Sequence, residues 1–139
     1  RAQIMTFLWR TAGSPKPKTT TNPFQDVPAG AYYYDAVLWA VENGITTGTA
    51  AGSFSPSQQC SRAEILTFLY RFMGEPSFRS TWEPFSDING TEYYYDAVLW
   101  AVENHLTDGF VGEHTFAPGT PCVRTEAMTF LYRMVGLVV

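Results

Sequence analysis

The most informative feature of this sequence is a stretch of twelve residues that occurs twice without a change. Tyr32–Asn43 reappears as Tyr93–Asn104, 61 positions further along the chain. A residue type that recurs at the same place in each unit indicates a structural or binding role, whereas a catalytic centre needs only one copy. The sequence therefore predicts a repeat protein.

The repeat register extends beyond this stretch and predicts how the chain is divided. Arg62, Phe68 and Gly74 recur as Arg124, Phe130 and Gly136, and residues 1–10 align with residues 62–71. We expect one domain over 1–139, which opens in mid-repeat as a piece of a longer protein. Its predicted parts are the final helix of a truncated repeat (1–13), a linker rich in proline and threonine (14–23), a complete repeat (24–74), a second linker (75–84) and a second complete repeat (85–139).

Composition excludes several classes of protein. Hydrophobic residues make up 45% of the chain and aromatic residues 16%, which is ample for a packed core. A net charge of −4 with only nine lysines and arginines argues against nucleic-acid binding, since that function needs a basic face. No apolar run approaches the length of a membrane span, so membrane insertion is not expected.

Two kinds of helix are predicted in each repeat. Tyr34, Val37, Leu38 and Val41 have the spacing of an amphipathic helix, which should end at Asn43 before a glycine. The second copy has His105 in place of that glycine, so Asn104 or another cap must end the helix with some backbone strain. A second helix is apolar around most of its circumference and must be largely buried. Its apolar residues are Ile65, Leu66, Phe68, Leu69, Phe72 and Met73. We expect three such helices at the centre of an all-α domain, with the amphipathic helices outside.

Arg62 is the most suggestive candidate for ligand binding. Ser61-x-x-Glu64 is a capping box, which makes Arg62 the first helical residue. A cation there opposes the helix dipole by a few tenths to about 1 kcal/mol, and a bound anion would remove the conflict. Arg124 repeats the arrangement. The alternative is a structural ion pair with a carboxylate such as Asp26, Asp87 or Glu64.

Two further pairs of residues recur in the repeats, and each has more than one interpretation. Trp39 and Trp100 either border a sugar-binding groove or are lateral core residues. Cys60 and Cys122 are either small buried hydrophobic residues, a disulfide or, as the weakest alternative, part of a zinc site. The sequence shows no catalytic set, and no enzyme activity, metal or cofactor is predicted.

Five motifs in order, present in both complete units, resemble the S-layer homology repeat, a cell-surface anchoring module of bacteria. In the first unit these motifs are Phe24-x-Asp26-Val27, Tyr34-x-Ala36-Val37-x-x-Ala40, Gly44-Ile45-x-x-Gly48, Gly52-x-Phe54-x-Pro56 and Ser61-Arg62-Ala63-Glu64. The resemblance implies a pseudo-threefold prong with a central three-helix bundle. Departures from the pattern are Gln3 for the motif glutamate, His105 for the glycine, and Val123 and Thr125 around Arg124.

The resemblance also implies a function at the cell surface, in the cell wall or S-layer. It implies noncovalent binding of a secondary cell-wall polysaccharide, often through a pyruvylated sugar, in grooves between repeats. The implied ligand-binding residues are Arg62, Arg124, Arg1, Trp39, Trp100, Gly48 and Gly109. The alternative is a surface scaffold or protein-interaction module without a glycan. On that alternative the truncated repeat would self-associate through exposed apolar residues, namely Ile4, Phe7, Leu8 and Trp9.

Overall fold

The computed structural model describes residues 1–79, 85–107 and 114–138, and these residues form an all-α protein. The five helices are α1 (Ala2–Thr11), α2 (Tyr34–Glu42), α3 (Arg62–Phe72), α4 (Tyr95–Glu103) and α5 (Arg124–Val138). The described residues contain no β-strand, and their only β-type pairing is two isolated bridges. The predicted fold class is confirmed, while the pseudo-threefold arrangement of α1, α3 and α5 stays a prediction.

The chain forms two compact units, Arg1–Gln59 and Cys60–Val139. Each unit begins with the last helix of one repeat and continues with the first helix and loop of the next repeat. In the first unit α1 packs against α2, and in the second unit α3 packs against α4 and α5. The structural unit is therefore shifted by one helix from the sequence repeat.

Local sequence explains where the helices begin and end. Both hydrogen bonds of the Ser61–Glu64 capping box are present, and Arg62 is the first residue of α3, as predicted. Helix α2 is followed by Asn43 and by Gly44 at φ 72°, whereas α4 is followed by Asn104 and by His105 at φ 61°. A left-handed histidine costs about 1 kcal/mol or more relative to glycine, which confirms the predicted strain.

The burial of α2 and α4 differs from the prediction. Five consecutive residues, Ala36–Ala40, are buried, whereas Tyr34 and Val41 of the predicted apolar stripe are only partly covered. The prediction of an outer helix with one solvent-exposed face is therefore wrong for the middle of this helix. The reason is that α1 covers one side of this short helix. In addition, the segment after the helix folds onto it, and the main-chain nitrogen of Ile45 donates to the carbonyl oxygen of Ala40 at 2.8 Å.

The exposed apolar surface also lies elsewhere than predicted. Leu8 is fully buried, and Ile4, Phe7 and Trp9 are partly buried, because α1 packs on α2. Large exposed apolar side chains are found instead at Tyr32 and Tyr93 and on and beside α5, at Val123, Met128, Tyr132 and Leu137. The apolar surface predicted at the truncated repeat is therefore largely covered, and self-association stays a prediction.

Candidate functional site

The arginines at the N-termini of α1 and α3 make matching contacts with a loop. Nε of Arg1 donates to the carbonyl oxygen of Phe54 at 2.8 Å, and Nε of Arg62 donates to that of Phe116 at 3.0 Å. Each guanidinium also lies over the ring of the same phenylalanine, at 4.9 Å for Arg1 and 4.6 Å for Arg62. Both arginines are buried. Two of the predicted ligand-binding residues therefore hold the loop of the following repeat.

We call this segment the Phe-x-Pro loop, Phe54–Gln58 in the first unit and Phe116–Thr120 in the second. Its carbonyl oxygens also accept the first main-chain N–H groups of the arginine helix. Ala2 donates to Pro56 at 3.0 Å and Ala63 to Pro118 at 3.1 Å, and the main-chain nitrogens of Arg1 and Arg62 donate to Gln58 and Thr120, each at 2.9 Å. Helix N-terminal donors that lack intrahelical partners are thus satisfied by the loop.

Arg62 has a carboxylate partner that the sequence did not predict. Its NH1 lies 2.6 Å from Oε2 of Glu126, with the side chains 5% and 31% exposed. The alternative interpretation, a structural ion pair, thus holds for Arg62, but the carboxylate belongs to none of the suggested partners Asp26, Asp87 and Glu64. Because Glu126 is 64 positions away along the chain, no local pattern could have identified it.

Asp26 and Asp87 instead hold the Phe-x-Pro loops from the other side. Asp26 accepts from the main-chain nitrogens of Phe54 and Ser55 at 2.9 and 2.8 Å, and Asp87 accepts from those of Phe116 and Ala117. The bond from Phe54 is the main reason why the pKa of Asp26 lies below its ordinary value. Desolvation of the carboxyl opposes this shift, and the bond from Ser55 adds to it. Each loop is therefore fixed between an aspartate and an arginine.

Arg124 differs from its two equivalents because its side chain is exposed. Within the described parts of the chain, no hydrogen bond or ion pair reaches its guanidinium or its main-chain nitrogen. It is the third copy of the motif arginine and the first residue of α5. Arg62 is likewise the first residue of α3, and Arg1 directly precedes α1. Of the three aligned arginines, Arg124 is the one available to an external partner.

The remaining predicted site residues have structural roles wherever the structure describes them. Trp39 and Trp100 are buried, and the ring of Trp100 lies 5.4 Å from that of Tyr70, which matches the lateral-core interpretation. Gly48 has φ 93°, and a Cβ there would lie 2.5 Å from the carbonyl oxygen of Ser53. The structure thus requires glycine at position 48. Gly109 lies outside the described residues.

Cys60 and Cys122 are buried and form no disulfide, and their main chains are joined by a 2.8 Å hydrogen bond from the nitrogen of Cys122 to the oxygen of Cys60. This agrees with the interpretation as small buried hydrophobic residues. Burial, with a smaller contribution from Glu126, raises the pKa of the Cys122 thiol to about 12. Across residues 1–79, 85–107 and 114–138, no group of three or more histidine, cysteine, aspartate or glutamate side chains is arranged to hold a metal ion.

These features define a class of protein, a helical repeat module in which the motif arginines Arg1 and Arg62 are each enclosed by the loop of the following repeat. Residues 23–66 match the model of the S-layer homology domain. This segment is an S-layer homology domain, as its motifs predicted. No solved structure matches it significantly.

Relatives of the chain are proteins of bacterial surfaces. The chain is 32% identical over 115 residues to the surface-layer 125 kDa protein of Lysinibacillus sphaericus, covering 79% of this chain and 9% of that protein. It is 28% identical over 120 residues to a cell surface protein of Thermoanaerobacter kivui, covering 84% and 16%. It is also 32% identical over 80 residues to an S-layer protein of Bacillus thuringiensis subsp. finitimus, covering 58% and 10%.

The chain therefore spans roughly a tenth of the length of the curated relatives it matches. The family and these relatives support the predicted location at the cell surface, in the cell wall or S-layer. In the described part of the chain, every helix is too short or too polar to cross a bilayer.

Proposed function

We propose that the chain is a noncovalent cell-wall anchoring module that binds an acidic secondary cell-wall polysaccharide, with a pyruvylated sugar as the recognised group. Membership of the S-layer homology family and the resemblance to surface-layer proteins support the anchoring role. A structural role of this kind, rather than catalysis, also agrees with a site made of arginines, loop carbonyls and buried aromatic rings.

The observation that carries the glycan proposal is the ion pair of Arg62 with Glu126. It demonstrates the geometry in which a motif arginine can hold a loop carbonyl through Nε and a carboxylate through NH1 at the same time. A guanidinium has five N–H donors in a planar fork, which suits carboxylates. Arg124 has the same motif position with an exposed side chain. We therefore assign to Arg124 the contact with the carboxylate of a pyruvyl ketal.

The other residues of the predicted site are proposed to shape the surface rather than to touch the sugar. Arg1 and Arg62 hold the Phe-x-Pro loops, and Trp39 and Trp100 support the helices of each unit. Gly48 permits the close approach of Phe24 and Ser53. Gly109, which lies outside the described residues, stays a predicted site residue.

The experiment that tests this proposal compares two forms of one polysaccharide, with and without the pyruvyl ketal. Binding of the chain to each form is measured by calorimetry and by sedimentation with isolated cell-wall material. We expect removal of the ketal to weaken binding tenfold or more, because a charge-assisted hydrogen bond contributes roughly 1.5–3 kcal/mol. Binding should also weaken as salt is raised. Equal affinity for the two forms contradicts the recognition of the ketal.

Arg124→Gln tests the assigned residue, with Arg10→Gln as the matched control. Both arginines are exposed and both substitutions remove one positive charge, but Arg10 lies in the last turn of α1. We expect Arg124→Gln to weaken binding of the ketal-bearing form tenfold or more and Arg10→Gln to leave it unchanged. Equal effects of the two would show that only net charge matters.

A protein-interaction module is the second candidate function, and the exposed apolar residues of α5 favour it. The two candidates are separable because the glycan assay depends on the ketal, whereas protein association through α5 does not. If the chain binds neither form of the polysaccharide but associates with a protein through α5, the second candidate is supported.

A further inference from the structure

Cys60 and Cys122 lie opposite each other in a short antiparallel pairing that precedes α3 and α5. Ser61 and Pro121, their chain neighbours, form an isolated antiparallel bridge. On one side of this bridge the main-chain nitrogen of Cys122 donates to the carbonyl oxygen of Cys60 at 2.8 Å, and a second hydrogen bond of 2.9 Å lies on its other side. Both cysteines belong to the second compact unit.

This pairing gives the two cysteines nearly the geometry that a disulfide requires. Opposite residues of a hydrogen-bonded antiparallel pair have Cα atoms about 5.5 Å apart and side chains on the same face, and disulfides span Cα separations of roughly 4.4–6.8 Å. Their Cβ atoms are about 4.5–5.5 Å apart, so closure calls for an approach of about 1 Å. In the structure both side chains are thiols and are buried, Cys60 4% and Cys122 6% exposed.

The surroundings of Cys122 can accommodate the loss of its S–H group. Its Sγ lies 3.4 Å from Oε1 of Glu126, so the thiol donates to that carboxylate. The other carboxylate oxygen lies 2.6 Å from NH1 of Arg62, and the side chain of Glu126 is 31% exposed. Oxidation of the thiol therefore leaves the ion pair in place and frees a carboxylate oxygen that water can reach.

We propose that Cys60 and Cys122 are a redox site, which closes to a disulfide as the chain folds at the cell surface. The two cysteines are 62 positions apart, and α3 and α4 lie between them, so the bond closes one complete repeat into a covalent ring. It also fixes the start of α3 to the start of α5, beside the ion pair of Arg62 with Glu126. Proteins outside the cell retain such bonds because their surroundings are oxidising.

The oxidant is a small organic disulfide, and the reaction consists of two exchange steps. The thiolate of one cysteine attacks a sulfur of the oxidant, which forms a mixed disulfide and releases one thiolate. The thiolate of the other cysteine then attacks the cysteine sulfur of the mixed disulfide and releases the second. Overall the two protein thiols lose two protons and two electrons, and the oxidant takes them up and becomes two thiols.

The exchange takes place before the second unit is fully packed. In the folded chain both side chains are buried, and burial raises the pKa of the Cys122 thiol to about 12, so the native thiols react slowly with an oxidant. The same burial shields the completed bond from reductants. The site is therefore set during folding and is stable afterwards.

The test measures the effective concentration of the two thiols toward each other. The reduced, unfolded full chain is refolded and equilibrated with reduced and oxidised glutathione, and the fraction that contains the internal disulfide is measured by mass spectrometry after alkylation. We expect an effective concentration about a hundredfold higher in native buffer than in urea. The urea midpoint of the oxidised chain should be higher by about 1 M. Equal effective concentrations in the two solvents, or a lower midpoint for the oxidised chain, overturn the proposal.

Cys122→Ser combined with Val123→Cys is the matched control. This variant keeps two thiols and nearly the same loop length, but it moves one thiol to a neighbouring residue whose side chain is 56% exposed. Adjacent residues of an extended segment point to opposite faces, so we expect its effective concentration in native buffer to be tenfold lower or less. A control that closes as readily as the parent chain contradicts the proposal. The comparison of native buffer with urea in the parent chain decides the proposal even where the control does not fold.

None of these readouts depends on the polysaccharide. Failure of the glycan assay therefore leaves the redox site standing, and failure of the redox site leaves glycan binding standing.

Discussion

Arg62 and Glu126 form an ion pair that joins the first turns of α3 and α5, with 2.6 Å between NH1 and Oε2. The guanidinium is almost fully enclosed, since it also lies over the ring of Phe116 and donates to that residue's carbonyl oxygen. The carboxylate of Glu126 is about a third exposed. The pair is therefore asymmetric, and its loss affects the buried arginine most.

Glu126→Gln is expected to lower the free energy of unfolding by about 1–3 kcal/mol, because the buried guanidinium loses its carboxylate. Urea unfolding followed by circular dichroism measures the change. Glu75→Gln removes the same charge from an exposed position and should change stability by less than about 0.5 kcal/mol. If the two variants unfold at the same urea concentration, the ion pair contributes nothing to stability.

The lowered pKa of Asp26 predicts that part of the free energy of unfolding is lost in acid. Its pKa in the folded chain lies below the ordinary value of 3.8, chiefly because the carboxylate accepts from the nitrogen of Phe54. At a pH near 3.8 the unfolded chain therefore binds more protons than the folded chain. The contribution of Asp26 to the free energy of unfolding is complete above the pKa that Asp26 has in the unfolded chain, and it is lost as the pH falls through the pKa that Asp26 has in the folded chain. Thermal unfolding between about pH 5 and pH 2 should show a smaller decline for Asp26→Asn than for the parent chain. Identical slopes would contradict this role.

Gly48→Ala is expected to destabilise the first unit by about 2–4 kcal/mol, because left-handed strain and a steric clash act together. The added Cβ would lie 2.5 Å from the oxygen of Ser53 and 2.6 Å from Cε1 of the Phe24 ring. Gly30→Ala is the matched control, because a Cβ there meets nothing within 4 Å. Chemical denaturation of both variants checks the prediction, and a stable Gly48→Ala variant would show that the loop can shift.

Cys122 should be unreactive in the folded chain. Its pKa of about 12, caused mainly by burial, leaves on the order of a thousandfold less thiolate at pH 8 than an unperturbed thiol has. In a Cys60→Ser variant, the reaction with an aromatic disulfide reagent should be slow in the native state and rapid in denaturant. A fast native reaction would mean that the first turn of α5 opens readily.

Much of the fold could be predicted from local sequence. The start of α3 at Arg62, the end of α4 at Asn104 and the all-α class follow from caps, periodicity and composition, which act within one or two turns. The burial of Ala36–Ala40 and of Leu8 could not be predicted in this way. It depends on which helix lies alongside, and that helix belongs to a neighbouring repeat.

The candidate site, too, could be predicted only in part from the sequence. By itself the sequence determined the repeat, the family and the alignment of Arg1, Arg62 and Arg124 as one motif position, because these depend only on residue type and spacing. Only the tertiary structure decided that Arg1 and Arg62 are enclosed and that Arg124 is exposed. The physical reason is that the Phe-x-Pro loop that encloses each arginine is more than fifty positions away, and only folding brings it to the helix N-terminus.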